Sequence, residues 1–184
     1  MNLNEEVELL KGVPIFAKIE SAKLKLLAFT SERMNFAIGQ ELCHQGDPGD
    51  AMYVILGGVA DILIDTSGGQ IRVAELKKND FVGEISVLCD VPRTATVKAR
   101  EQLNTLKISR DTLYRMCEEV PQMAIEMMRE LAHRLEDTNK KLQAAKGRLI
   151  LCNIDPQIHE VFEITKLDKF FNIQKEEQAA LQAF

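Results

Sequence analysis

The run from Phe81 to Val97, FVGEISVLCDVPRTATV, constrains the fold of this chain more than any other segment. The residues after Arg93 alternate between small apolar and polar side chains, which is the pattern of a strand with one buried face. The inward parity comprises Arg93, Ala95, Val97 and Ala99, and the outward parity comprises Thr94, Thr96, Lys98 and Arg100. A buried guanidinium needs an anionic partner. That partner is either Glu84, in an internal ion pair, or a bound anion.

The residues before Arg93 favour the bound anion. Gly83 has no Cβ and lets the backbone come close to a ligand. Glu84 can accept hydrogen bonds from a sugar hydroxyl, and the amides of Ile85 and Ser86 would open a helical turn that attracts phosphate. The planar fork of Arg93 matches phosphate oxygens. Together these groups predict a site for a small anionic ligand that carries a sugar.

This segment resembles the phosphate-binding cassette of cyclic nucleotide-binding domains. That family includes bacterial cyclic-AMP receptor proteins, regulatory subunits of cyclic-nucleotide-dependent kinases and gated channels. Its pattern is roughly Phe-Gly-Glu-aliphatic-Ala-Leu followed by Pro-Arg-x-Ala-Thr-Val, and Ser86 stands where Ala or Gly is usual. The resemblance extends from about Leu9 to Leu142. It implies that Glu84 holds the ribose hydroxyls, while Arg93 and the amides of Ile85 and Ser86 hold the cyclic phosphate.

Thr94, which follows the arginine, leaves the identity of the base open. Cyclic-GMP-dependent kinases resemble this sequence here, and a hydroxyl at this place can bond the guanine amino group. Bacterial cyclic-AMP binders also tolerate small hydroxyl residues at the same place. Cellular prevalence favours cyclic AMP as the ligand, with cyclic GMP as the alternative.

The middle of the chain has the signals of an all-antiparallel sheet. The short runs AMYVIL, VADILID, QIRVAEL and LNTLKIS predict strands between about Met34 and Ser109, with turns at Gly57–Gly58 and Thr66–Gly69. Apolar clusters within residues 3 to 33 predict helices. The expected fold class is therefore α+β: an antiparallel, jelly-roll-like β-roll with flanking helices and a long C-terminal helix, followed by a small βαβα tail.

A long helix is predicted from Pro121 to about Lys146, within a first domain of residues 1–146. A narrow apolar seam at heptad spacing runs along it and favours pairing with the same helix of a second subunit. Ile125 and Met127 widen the apolar face at the start, where the helix is expected to touch the roll. The seam consists of Ala124, Met128, Leu131, Leu135, Thr138 and Leu142.

The remaining residues, 147–184, resemble the last third of STAS domains, the family of anti-sigma-factor antagonists. The resemblance rests on RLILCNIDPQIHEVFEITKLDKFF and EEQAALQAF, which predict strand, helix, strand and helix. Two strands and two helices cannot bury both faces of a sheet alone. The tail is therefore expected to dock on the roll, to pair with the tail of a second subunit or to remain partly ordered, and it is also the candidate surface for an unidentified protein partner. It has no recognition-helix pattern, so DNA binding is not expected.

Composition argues against several other functions. The net charge of −5, the absence of Trp and the aromatic content of 5% disfavour a nucleic-acid surface. Cys43 and His44 are adjacent on a predicted strand and point to opposite faces, so no metal site is expected. The four cysteines are widely spaced, which indicates unpaired thiols and a reducing cytoplasm. The acidic N-terminus is not a secretory signal, and no apolar run is long enough to span a membrane.

The sequence shows no nucleophile–base pair or carboxylate pair in a plausible site, so we expect no enzyme activity. It predicts a dimeric sensor that binds cyclic AMP or cyclic GMP. The alternative is a ligand-independent dimeric scaffold with a degenerate nucleotide pocket. The presence of both Glu84 and Arg93 argues against that alternative.

Overall fold

A computed structural model describes residues 3–144, 150–154 and 172–176, together with residues 156, 159, 163, 178 and 179. The chain divides into two compact units, Met1–Glu130 and Leu131–Phe184. The predicted boundary after residue 146 stays a prediction.

The first unit begins with a helical segment. Helix α1 spans Leu3–Lys11, a 3₁₀ turn spans Pro14–Phe16, and α2 spans Ser21–Thr30. Pro14 occupies the first turn of its short helix, where a missing N–H is tolerated. Leu10 and Phe16 of the predicted apolar clusters are fully buried, whereas Leu26 and Phe29 are exposed. Helices were expected as far as residue 33, but β1 already begins at Glu32.

Eight strands follow in two four-stranded sheets with antiparallel pairing throughout. One sheet has the order β1-β8-β3-β6 and the other β2-β7-β4-β5. The strands are β1 Glu32–Phe36, β2 Glu41–Cys43, β3 Ala51–Gly57, β4 Ala60–Thr66, β5 Gly69–Leu76, β6 Phe81–Val82, β7 Thr96–Ala99 and β8 Leu103–Ser109. The α+β roll predicted from the sequence is confirmed.

The two sheets share one apolar core. Tyr53 and Ile55 of β3 pack in the same cluster as Val97 and Ala99 of β7, which belong to opposite sheets. Phe36, Leu42, Ala60, Leu76 and Leu103 complete the cluster. The cluster therefore lies between the sheets and supports β3, β6 and β7, which flank the cassette.

The alternation predicted after Arg93 is only partly correct. Strand β7 begins at Thr96, so Arg93 and Ala95 precede it, although Arg93 is buried as expected. Thr96 was assigned to the outward parity but is fully buried. Its hydroxyl accepts a hydrogen bond from the backbone N–H of Gln45 at 2.9 Å, which compensates for the loss of water.

Two helices follow the roll. Helix α4 spans Arg110–Glu119, and its cap residue Ser109 accepts a hydrogen bond from the N–H of Thr112 at 3.2 Å. Helix α5 spans Pro121–Ala144 and begins at the proline that was predicted to separate the two helices.

The start of α5 is buried on a different face from the one predicted. Met123 and Met127 are buried, as expected for Met127, but Ile125 is exposed. The prediction that Ile125 touches the roll was wrong, because Ile125 lies two positions from each methionine and hence on another side of the helix.

The second unit contains two short parallel strands, β9 Ile150–Cys152 and β10 Asn172–Gln174. Ile173 is in register with Leu151. Both strands agree with those predicted in RLILCN and FFNIQ. The two helices predicted for the tail fall largely outside the described residues.

Candidate functional site

The cassette is carried by the edge of the first sheet. Strand β6 pairs with β3, with Val82 opposite Tyr53, and helix α3 (Glu84–Leu88) follows one residue later. Gly83 makes the connection in the left-handed region, at φ +86°. A Cβ at this position would lie 2.5 Å from Nη1 of Arg93 and 3.1 Å from the carbonyl oxygen of Ala51. Glycine is therefore required here by conformation and by space.

Helix α3 places the predicted phosphate-binding amides at its start. The N–H groups of Glu84, Ile85 and Ser86 belong to the first turn, which has no carbonyl four residues earlier in the helix to receive them. The Ser86 side chain is buried, and its Oγ donates to the carbonyl of Pro92 at 3.3 Å. This contact ties the helix to the segment that leads into Arg93.

Arg93 is held by its backbone and by one side of its guanidinium. Its N–H donates to the carbonyl of Asp47, and its carbonyl accepts from the N–H of Gly46, both at 2.8 Å. The side chain is 4% exposed. Its Nη1 donates to the carbonyl of Ala51 at 2.7 Å and to that of Gly83 at 3.3 Å. The prediction that Arg93 points inward is confirmed.

The other edge of the guanidinium is formed by Nε and Nη2. Within the described part of the chain, the buried Nε of Arg93 has no hydrogen-bond partner. Nη2 lies 3.5 Å from Oδ1 of Asp50, which is an ion-pair distance. The Nε–H bond and one Nη2–H bond point the same way from a planar guanidinium, in the geometry that two oxygens of one anion accept together. This edge can therefore bind a phosphate in bidentate fashion.

Two neighbours of Arg93 were missed from the sequence. Asp50 was given no role in the site, but its carboxylate lies between Arg93 and Lys107, whose Nζ is 3.7 Å from Oδ2. Tyr53 was predicted only as part of the strand AMYVIL, and its ring centroid lies 5.6 Å from Cζ of Arg93. Both residues lie within four positions of Gly49, and no short-range pattern connects them to residue 93.

The structure brings most of the predicted ligand-binding residues together. Gly83 contacts Arg93, Glu84 is buried at the start of α3, and Ser86 is bonded to the residue before Arg93. The side chains of Ile85 and Thr94 are exposed. The roles predicted for these residues stay predictions, because the structure contains no nucleotide.

Arg93 faces uncharged side chains on the side of Tyr53 and Cys43. Burial raises the pKa of the Tyr53 phenol and that of the Cys43 thiol, and the positive charge of Arg93 only partly opposes this effect. Both side chains therefore stay neutral near pH 7. The guanidinium thus faces neutral groups on this side, which strengthens its attraction for an anion.

The predicted dimer seam is a separate feature of α5. Met128 and Leu135 are 62% and 41% exposed, and Thr138 is exposed as well. Ala124 and Leu131 are half-buried, and the side chain of Leu142 lies outside the described residues.

The described residues lack two features that other functions would need. No group of three or more His, Cys, Asp or Glu side chains in that part of the chain could hold a metal ion. None of the helices described there is long and apolar enough to cross a membrane. All four cysteines lie in this part of the chain and are free.

Comparison with known proteins agrees with this geometry. The family model described as cyclic nucleotide-binding domain matches residues 33–120, and the STAS domain model matches residues 131–180. A cAMP-dependent protein kinase regulatory subunit from Dictyostelium discoideum is 34% identical over 120 residues, which are 63% of this chain and 37% of that protein. The chain thus spans little more than a third of this relative.

Solved structures share the fold. The N-terminal domain of a transcriptional regulator from Streptomyces coelicolor A3(2) is 30% identical, with a TM-score of 0.58 over 72% of this chain and 95% of that one. The catabolite activator protein of Thermus thermophilus is 25% identical, with a TM-score of 0.66 over 72% of this chain and 63% of that one. The chain belongs to the cyclic nucleotide-binding domain family, and its last third matches the STAS domain.

Proposed function

We propose that this chain is a sensor that binds cyclic AMP and signals through α5 and the tail. The observation that carries the proposal is the edge of Arg93 formed by Nε, which has no hydrogen-bond partner among the described residues, and Nη2, whose ion-pair partner Asp50 is exposed. A buried donor without a partner is destabilising by roughly 1–3 kcal/mol, and more when it is charged. The two exocyclic oxygens of a cyclic phosphate would accept from Nε and Nη2 together. Binding would then satisfy a donor that the protein alone leaves unpaired.

The neighbouring groups support a nucleotide rather than a bare anion. Glu84, buried at the start of α3, can accept hydrogen bonds from ribose hydroxyls, and the amides of Ile85 and Ser86 can donate to the phosphate. Thr94 would contact the base. Cyclic AMP is preferred because the Dictyostelium relative is named for its dependence on cAMP. Cyclic GMP is the competing ligand.

The exposed seam supports a homodimer. Met128 and Leu135 place apolar surface on the outside of one chain. Burying such a side chain contributes about 1.5–3 kcal/mol, and a seam counted on both partners can offset the entropy of association. In a dimer through α5, a shift of this helix in one subunit would also displace the α5 helix of the second subunit.

The tail is a second surface for which we propose a protein contact. Strands β9 and β10 form a two-stranded sheet whose residues are all at least partly accessible. A sheet of this size needs further packing to be stable. We assign the tail to protein contact rather than to DNA binding.

Calorimetric titration of the full chain with cyclic AMP and cyclic GMP tests the ligand. Wild-type protein should bind in a saturable manner, and Arg93→Ala and Arg93→Lys should both bind more weakly, since lysine keeps the charge but lacks the fork. Arg72→Ala is the matched control, because Arg72 lies on β5 with its side chain 53% exposed. No binding of either nucleotide by folded wild-type protein would favour the ligand-independent scaffold.

Sedimentation of two variants tests the dimer. Leu135→Lys places a charge in the seam, and His133→Lys adds the same charge on the opposite side of the helix. The first should give a monomer and the second should leave the dimer intact. If the two variants sedimented alike, the seam of α5 would not be the dimer interface.

A further inference from the structure

Tyr53 lies against Arg93 without donating or accepting any hydrogen bond to it in the described contacts. The ring belongs to the middle of β3 and is 5% exposed, and its centroid is 5.6 Å from the guanidinium carbon. A cation within about 6 Å of an aromatic face is attracted by the negative charge of that face. Because both side chains are buried, water weakens this attraction little.

The contacts of Arg93 explain why a further constraint is needed. Nη1 is bonded to the carbonyls of Ala51 and Gly83, and these two bonds fix one corner of the guanidinium. On the other edge, Nη2 lies 3.5 Å from the exposed carboxylate of Asp50, and Nε has no hydrogen-bond partner among the described residues. The ring of Tyr53 is a further contact of the guanidinium and can limit its tilt about the bonded corner.

The charge state of Tyr53 agrees with a contact through the ring. Burial raises the pKa of the phenol more than the positive charge of Arg93 lowers it. The hydroxyl is therefore neutral, and the interaction is that of a cation with an aromatic face rather than an ion pair with a phenolate.

We propose that Tyr53 is a positioning residue of the anion site, whose ring orients the guanidinium of Arg93 so that Nε and Nη2 face the phosphate of the ligand. This inference rests on the proposed function, since it concerns the same site. The proposal requires an aromatic ring at position 53, where the side chain also packs in the apolar core between the sheets.

Affinity for cyclic AMP in three full-length variants tests the role of the ring. Tyr53→Phe keeps the ring and should bind within about twofold of the wild type. Tyr53→Leu keeps an apolar side chain without the ring and should bind about two- to thirtyfold more weakly, which is the range of a single cation–ring contact. Equal affinity of the Phe and Leu variants would overturn the proposal.

Fluorinated phenylalanines at position 53 separate orientation from packing. Each added fluorine weakens the negative face of the ring and changes its size only slightly, so affinity should fall stepwise along the series. A purely structural contact would lower the melting temperature of the unliganded protein along the series and leave the affinity unchanged. Constant affinity across the series would therefore also overturn the proposal.

Tyrosine emission gives an independent readout. The chain has two tyrosines and no tryptophan, so Tyr114→Phe leaves Tyr53 as the single fluorophore. Saturation with cyclic AMP should change the emission of Tyr53, because the negative phosphate would bind the guanidinium that contacts the ring. Absence of binding by the wild type would overturn the proposed function itself. Wild-type binding without this signal and without a dependence on the ring would overturn only the role of Tyr53.

Discussion

Replacement of Gly83 by alanine should weaken both folding and ligand binding, because the added Cβ displaces the guanidinium of Arg93. Gly83 has a φ of +86°, and an alanine there costs about 1–2 kcal/mol in backbone strain. Its Cβ would also lie 2.5 Å from Nη1 of Arg93, so the guanidinium must move. Moving it disturbs two hydrogen bonds from a charged group, each of which contributes about 1.5–3 kcal/mol.

Gly39 provides the matched control for this variant. It has a φ of +84°, nearly that of Gly83, but nothing lies within 4 Å of the position that its Cβ would take. Gly39→Ala therefore introduces the strain without the collision. The difference in the free energy of unfolding between the two variants, measured by urea denaturation, isolates the displacement of Arg93. We expect the displaced guanidinium to lose one of its two hydrogen bonds, which makes Gly83→Ala the less stable variant by about 1.5–3 kcal/mol.

Calorimetry with cyclic AMP supplies the second half of the comparison. Loss of one charge-assisted contact predicts that Gly83→Ala binds about 10- to 150-fold more weakly than the wild type, whereas Gly39→Ala binds like the wild type. Equal affinity of the two alanine variants would refute the reasoning, since it would show that the position of Nη1 does not matter to the ligand.

Three further results are expected from the same structure. Met127→Ala should lower the free energy of unfolding by about 2–5 kcal/mol, because Met127 is buried, whereas Met128→Ala should change it by less than about 0.5 kcal/mol in the monomer. The hydrogen bond from Lys18 is the main cause of the lowered pKa of Glu126 in the folded protein. The pair therefore stabilises the fold fully above pH 4.5, the ordinary pKa of a Glu side chain. This stabilisation is lost as the pH falls through the lower pKa of the folded state. Thermal unfolding of Glu126→Gln between pH 6 and pH 3 should therefore differ from the wild type most at pH 6. Thr94→Ala should weaken cyclic GMP about two- to twelvefold and leave cyclic AMP unchanged in competition titrations, if the hydroxyl bonds the guanine amino group.

The parts of the fold that the sequence predicted correctly depend on short-range chemistry. The hairpin between β4 and β5 begins at Thr66, whose Oγ1 donates to the carbonyl of Gly69 at 2.6 Å, and both residues belong to the predicted turn. Gly83 and Pro121 likewise stand where the backbone requires their special conformations. Such positions are recognisable because the constraint and the residue lie within a few positions of each other.

The parts that were missed depend on contacts between distant positions. Ala51 lies 42 positions from Arg93, yet its carbonyl is the acceptor at the shortest distance from the guanidinium. Asp50 and Tyr53 approach Arg93 from the same strand region. The alternation of apolar and polar residues predicted that Arg93 is buried. Such a pattern does not identify the strand that packs against the buried side chain. The buried Thr96 was missed for a related reason, because its partner Gln45 comes from another loop.

The balance of charge around Arg93 explains how the site can exist before a ligand arrives. A buried guanidinium is destabilising unless its donors are satisfied, and here two carbonyls and the carboxylate of Asp50 offset part of that penalty. Asp50 is itself 71% exposed, so its attraction is screened by water and is weaker than that of a buried anion. The described residues thus supply enough partners to keep Arg93 inside, but they leave Nε without a hydrogen-bond partner and Nη2 paired with an exposed carboxylate. A phosphate that accepts from Nε and Nη2 would form hydrogen bonds that the unliganded fold lacks. Because such a ligand binds only the folded state, it should also raise the melting temperature of the domain.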